Sequence, residues 1–177
     1  VPVVVIERAD RAAGLGEALV AGGIPVAEVT LRTAAGIDAI AAMAENSDLL
    51  MGAGTVLTAD QVDRAVDAGA RFIVSPGLNP RVVERALARG VDVVPGTVTP
   101  SEIMAALELG LTTLKFFPAD VYGGVKALKA LGAPFGGVRF IPTGGVSAAN
   151  IAEYLALPNV AAVGGSWMVP SAAIDAG

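Results

Sequence analysis

Gly110-Leu-Thr-Thr-Leu-Lys-Phe-Phe-Pro118 carries one unit of the pattern on which the chain is built. A glycine closes an Ala- and Leu-rich helical stretch. Apolar and β-branched residues then run for the length of a strand until a proline stops them. Working outward, β-rich runs recur about every 20–25 residues: Pro2–Ile6, Val26–Leu31, Leu49–Val56, Phe72–Ser75, Asp92–Pro95, Thr112–Phe117, Val138–Pro142 and Val160–Val163. Between them lie stretches with helical spacing, such as Ala59–Ala68 and Pro80–Ala88. Thr58 and Thr99-Pro-Ser-Glu102 signal helix starts, and Gly22-Gly23, Gly69, Gly90 and Gly110 signal helix ends. Strands alternating with helices at this spacing predict a parallel α/β fold, and eight of them predict a (β/α)8 TIM barrel. An open flavodoxin-like sheet is the alternative. Such barrels typically reach about 250 residues, so a compact single domain over 1–177 with shortened N- and C-terminal ends is expected.

Composition narrows the chemistry. The chain has no histidine and no cysteine, which removes imidazole and thiol nucleophiles, disulfides and the usual soft metal ligands. Acid–base work then falls to Asp, Glu, Tyr, Lys or water. At 177 residues and 54% hydrophobic, the chain can bury a large core. A formal charge of −5 argues against a nucleic-acid platform. No apolar run approaches the roughly 18–20 residues that span a bilayer, and no secretory signal is evident. The expectation is a cytoplasmic protein without a membrane or nucleic-acid partner.

Period-2 alternation puts Thr113, Lys115 and Phe117 on one face of the sixth run. A lysine in a barrel or sheet interior is desolvated, which favours the neutral amine that attacks carbonyls. A lysine snorkelling from a strand end, or paired to a buried carboxylate, fits the same strand. In Val26-Ala-Glu-Val-Thr-Leu-Arg32, alternation aligns Glu28, Thr30 and Arg32. Arg32 at the rim suits bidentate capture of a carboxylate or phosphate, and a deeper Glu28 could exchange protons with an amine. A Glu–Arg pair filling a polar layer is the alternative. Gly52-Ala-Gly-Thr-Val56 ends the third run, where Thr55 could donate to an anion. Pro142-Thr-Gly-Gly-Val146 and Val163-Gly-Gly-Ser-Trp167 end the last two. Two such turns can converge bare backbone amides on phosphate oxygens, with a helix N-terminus adding field. Lys126 and Lys129 read as a solvated helix face, and Trp167 as either mouth or packing.

Glu28-Val-Thr-Leu-Arg-Thr33, Gly52-Ala-Gly-Thr-Val56, Ser75-Pro-Gly77, Leu114-Lys-Phe-Phe-Pro-Ala119, Pro142-Thr-Gly-Gly145 and Gly164-Gly-Ser-Trp167 occur in order from Pro2 to about Ala173. Together they closely resemble the 2-keto-3-deoxy-6-phosphogluconate (KDPG) aldolases, which also act as 4-hydroxy-2-oxoglutarate (KHG) aldolases. The resemblance implies a homotrimeric TIM-barrel class I aldolase acting on a small 2-keto acid without metal or organic cofactor. It implies Lys115 as the Schiff-base lysine and Glu28 as the general acid/base. Arg32, Thr55 and Pro76 would form the carboxylate site, and Thr143, Gly144, Gly145, Gly165 and Ser166 the phosphate site. Family members usually carry a helix before the first strand and a full helix after the eighth, and often have Glu where Asp120 stands. A sugar-phosphate epimerase or isomerase barrel, or an aldolase barrel kept as an assembly scaffold, are the competing readings.

Overall fold

A computed structural model describes residues 1–176. Seven strands form one sheet in chain order: β1 (Val3–Val4), β2 (Val26–Thr30), β3 (Leu50–Gly54), β4 (Phe72–Ser75), β5 (Asp92–Thr97), β6 (Thr113–Phe116) and β7 (Arg139–Pro142). Every neighbouring pair is parallel, with Glu28 opposite Gly52 and Lys115 opposite both Gly96 and Ile141. A 3-10 turn (Ala9–Arg11) leads into helix α1 (Ala12–Ala21). The other crossover helices are α2 (Gly36–Ala44), α3 (Ala59–Asp67), α4 (Pro80–Ala88), α5 (Pro100–Glu108), α6 (Gly124–Gly132) and α7 (Ile151–Leu155), with α8 (Ser171–Ala176) last. None of the described helices is long and apolar enough to cross a membrane.

The eighth expected strand is the main correction. Val160–Val163 forms no ladder; residues 160–165 pair with β7 and the start of the chain through the isolated parallel bridges Phe140–Val160, Thr143–Gly164 and Pro2–Gly165. Gly164 N–H donates to Pro142 O at 2.9 Å, while Val3 N–H donates to Gly165 O at 2.9 Å. This segment therefore bonds to both edges of the seven-stranded sheet. Its Ala161-Ala162 and Gly164-Gly165 supply no bulky cross-strand pairs, which are the unit of sheet stabilisation.

The helix signals hold. Thr58 Oγ1 accepts from Gln61 N–H, and Thr99 and Glu102 form a reciprocal capping box with Pro100 in the first turn. Gly23, Gly69, Gly90 and Gly110 close helices with positive φ. The sheet's outer face carries the apolar set: Val29, Ala53, Ile73, Val93, Leu114, Phe116 and Phe140 are buried in two adjoining clusters. Phe116 and Phe140 meet edge to face, ring centroids 6.2 Å apart, which adds about 0.5–1.5 kcal/mol to what burial supplies. The helices thus stabilise one face of the strands and leave the alternate residues free to carry polar groups.

Candidate active site

Those alternate residues enclose a hollow of ≈ 240 Å³, to which β2 through β7 all contribute. Its walls include Phe72, Val74, Val94 and Ile141, and its two buried charges are Glu28 and Lys115. Glu28 is 4% exposed and Lys115 6%. Lys115 Nζ donates to Glu28 Oε1 at 3.4 Å, and also lies 5.0 Å from the centre of the Phe117 ring. The pair joins β2 to β6, which are not neighbours in the sheet. The alternation that puts Lys115 opposite Gly96 turns it inward, as it does Glu28 opposite Gly52. A larger hollow of ≈ 470 Å³ lies between α1 and α8, away from the pair, so volume alone does not mark the site.

Glycines make room for this interior. A Cβ on Gly54 would stand 2.5 Å from Glu28 Cγ and 2.6 Å from its Cδ. One on Gly96 would strike the Pro76 carbonyl, so the Ser75-Pro76-Gly77 turn rests directly on β5. Ser75 Oγ fixes that turn by donating to Gly77 O at 2.8 Å. Thr55 follows β3 with φ 57, a conformation that costs a β-branched residue about 1–3 kcal/mol and recurs at functional sites.

The other expected residues stand toward the C-terminal strand ends. Arg32 lies just past β2 and is exposed; its Nε donates to Thr30 Oγ1 at 3.3 Å, while Thr30 itself donates to Val4 O at 3.0 Å. Arg32, Ser166 and Trp167 line one hollow, separate from that of the lysine. Arg32, Thr55, Pro76 and Ser166 do not line the Lys115 hollow, which opens toward the strand starts at Leu50, Phe72 and Asp92. Thr143 lines it, half joining the two sets, and packs its Oγ1 where a Cβ on Gly164 would fall.

Gly144 (φ 92) and Gly145 (φ 76) form a left-handed turn after β7. Gly145 lies against the Asp120 carboxylate, and Gly165 under the Trp167 ring. The expected helix N-terminus is not at this turn, because α7 begins at Ile151 and has five residues. Any anion held here meets loop amides instead. Two contributors were missed in the sequence: Asn150, bonded to Gly145 O, and Gly54, whose bare backbone accommodates Glu28. The motif Gly-x-Gly already contained Gly54, but which carboxylate it faced was not legible.

Burial raises the pKa of Tyr154, helped by the charges of Asp120 and Glu153. Among the described residues, no three Asp or Glu side chains converge as a metal-binding group.

A buried amine facing a buried carboxylate in the hollow of a parallel α/β sheet marks this as the candidate centre of an enzyme. Comparison with known proteins gives the particular family. The chain belongs to the KDPG and KHG aldolases, matching that family over residues 1–177. It is 51% identical over 178 residues to a 2-dehydro-3-deoxy-phosphogluconate aldolase of Treponema pallidum, covering 100% of this chain and 85% of the relative. A KDPG aldolase of Legionella pneumophila, with pyruvate captured as a covalent carbinolamine intermediate, superposes with a TM-score of 0.95 at 46% identity, covering 99% of this chain and 85% of that one. A Zymomonas mobilis aldolase with 3-phosphoglycerate gives 0.93 at 45%, covering 99% and 86%.

Proposed function

We propose that the chain cleaves 2-keto-3-deoxy-6-phosphogluconate to pyruvate and glyceraldehyde 3-phosphate, and 4-hydroxy-2-oxoglutarate to pyruvate and glyoxylate, as a class I aldolase. The observation that carries the reading is the buried approach of Lys115 Nζ to Glu28 at 3.4 Å. The free amine of Lys115 attacks C2 of the keto acid to give a carbinolamine, and loss of water gives an iminium that withdraws electrons from C3. Glu28, in reach of that nitrogen, takes the proton from the C4 hydroxyl directly or through water. The C3–C4 bond breaks, the aldehyde leaves, and its bonding electrons remain as an enamine. Protonation at C3 and hydrolysis release pyruvate and restore the amine. Neither a metal nor an organic cofactor enters these steps.

Arg32, Thr55 and Pro76 are proposed to hold the carboxylate end. The exposed guanidinium of Arg32, oriented through Thr30, supports that role. Thr143, Gly144, Gly145, Gly165 and Ser166 are proposed to hold the phosphate, in keeping with the phosphorylated ligand of the Zymomonas relative. Substrate would then enter at the C-terminal strand ends, as in barrel enzymes generally. The bonds of residues 160–165 to both sheet edges support a closed eight-stave barrel. The exposed Met104, Val121 and Tyr122 are apolar surface that a homotrimer would cover. A cytoplasmic location is proposed together with this activity.

Borohydride trapping tests the reading. Incubation with pyruvate and reductant should add one pyruvate-derived mass, mapped to Lys115 and absent from Lys115→Ala. Labelling of the exposed Lys126 or Lys129 instead would overturn it.

A further inference from the structure

The glycine turn after β7 has its three carbonyls engaged from behind. Thr143 O accepts from Ala119 N–H at 2.9 Å, and Gly144 O from Asp120 N–H at 3.2 Å. Gly145 O accepts from the side-chain Nδ2 of Asn150, at 2.9 Å. In a trans peptide the carbonyl and the next N–H point opposite ways. Holding these three carbonyls therefore turns the N–H groups of Gly144, Gly145 and Val146 to the other side. None of those three amides donates to a protein acceptor among the described residues. With positive φ at both glycines, they form a concave set of free donors of the kind that binds anions.

Of the three clamps, two come from backbone amides and one from a side chain. Asn150 sits at the N-cap of α7, a position where asparagine ordinarily turns its oxygen onto the amides of its own helix. It makes no such bond here. Its Oδ1 accepts instead from Ser147 N–H at 2.8 Å, so the one amide group grips the chain on both sides of Val146. A residue whose only duty was to start α7 would face forward.

Resting on the phosphate reading of this turn, we propose that Asn150 is a positioning residue of the cradle. Its clamp fixes the peptide plane that presents the Val146 amide, and so it sets the preference for phosphorylated over unphosphorylated 2-keto acids. The test compares kcat/KM for 2-keto-3-deoxy-6-phosphogluconate with that for 4-hydroxy-2-oxoglutarate. Asn150→Ala should lower this ratio about tenfold, mostly through KM for the phosphorylated substrate, for the loss of two hydrogen bonds of ordinary net strength. Asn150→Asp keeps the acceptor for Ser147 N–H and should melt near the parent, but it should not bring back the ratio, because it has no donor for Gly145 O. Recovery of the ratio by Asp would overturn the proposal, as would equal losses by Asn150→Ala on both substrates. Ser166→Ala separates the two readings. If it lowers the ratio and Asn150→Ala does not, the positioning role falls and the cradle stands. If neither variant lowers it, the cradle reading falls and takes the proposal with it.

Discussion

Replacing Gly54 by alanine should disable the enzyme while leaving its fold intact. The glycine lies on β3 beside the buried Glu28, and its φ is not in the positive range, so the backbone itself accepts a side chain. The obstacle is local. The added methyl would overlap Glu28 Oε1 and stand 2.5 Å from its Cγ, against ordinary contact at 3.4 Å, so the glutamate must retreat by about 0.9 Å at Cγ and by more at its oxygen. It has room to do so, because it already borders a hollow of ≈ 240 Å³. Such a shift displaces the carboxylate that now stands 3.4 Å from Lys115 Nζ. A misplacement of about 1 Å in a reacting constellation is worth roughly 10²-fold in rate.

The expected result is therefore a kcat lower by about 10²-fold with a cooperative melt near that of the parent. Exchange of the pyruvate methyl protons with deuterated water should slow alongside, since the proposed mechanism uses the same carboxylate in enamine formation. Gly52→Ala is the contrast: its Cβ would strike the Phe72 ring, a wall of the same hollow, and leave Glu28 untouched, so it should lower the melting temperature and slow exchange less than Gly54→Ala does. Parent rates of cleavage and exchange in Gly54→Ala would refute the reasoning, since Glu28 would then have moved without consequence.

Glu28→Gln should slow cleavage by about 10²–10⁴-fold and slow methyl-proton exchange with it; exchange at the parent rate would assign the proton transfers to another group or to water. Thr99→Ala removes the capping box of α5 and should cost about 1 kcal/mol, read as a melting temperature lower by roughly 2–4 °C. Hydrogen bonds from Arg85 and then Arg89 hold the Asp63 carboxyl below its ordinary value of 3.8. A carboxyl depressed by folding adds stability above that value and loses it as pH falls through the folded one. The gap in melting temperature between parent and Asp63→Asn should thus be full near neutral pH and shrink below 3.8; a constant gap would show that the ion pairs contribute nothing.

The strands and helices were legible wherever period and punctuation agreed. Phe72–Ser75 and Pro80–Ala88 fall on the expected bounds, and Glu28 and Lys115 face inward as alternation requires. The eighth run failed as a strand because valines at 160 and 163 are separated and followed by small residues, which bridge without building a ladder. The cradle was half legible. Paired glycines announce a left-handed turn, but not that Asn150 would leave its own helix to hold Gly145, nor that α7 would start too late to lend its field. Those outcomes depend on where β6 and the loop after it pass behind the turn, which is a matter of tertiary packing. The left-handed Thr55 was hidden for the same reason: nothing in Gly-Ala-Gly-Thr asks the threonine, rather than a glycine, to take positive φ.

The two inward charges also explain why ordinary knockouts of this site mix two effects. Removing one member of a buried pair leaves the other uncompensated, at a cost of about 3–5 kcal/mol, so Lys115→Ala and Glu28→Ala each strain the fold as well as the chemistry. At 3.4 Å the pair is longer than a strong charge-assisted bond of about 2.7–2.9 Å. That separation suits the role proposed for Lys115, which requires it to leave its partner and attack a carbonyl. The stability of the sheet rests on its other face, where Val29, Leu114, Phe116 and Phe140 pack under the helices. Changes that keep both charges and shift only their spacing, as at Gly54, therefore report on catalysis more cleanly than deletion of either charge.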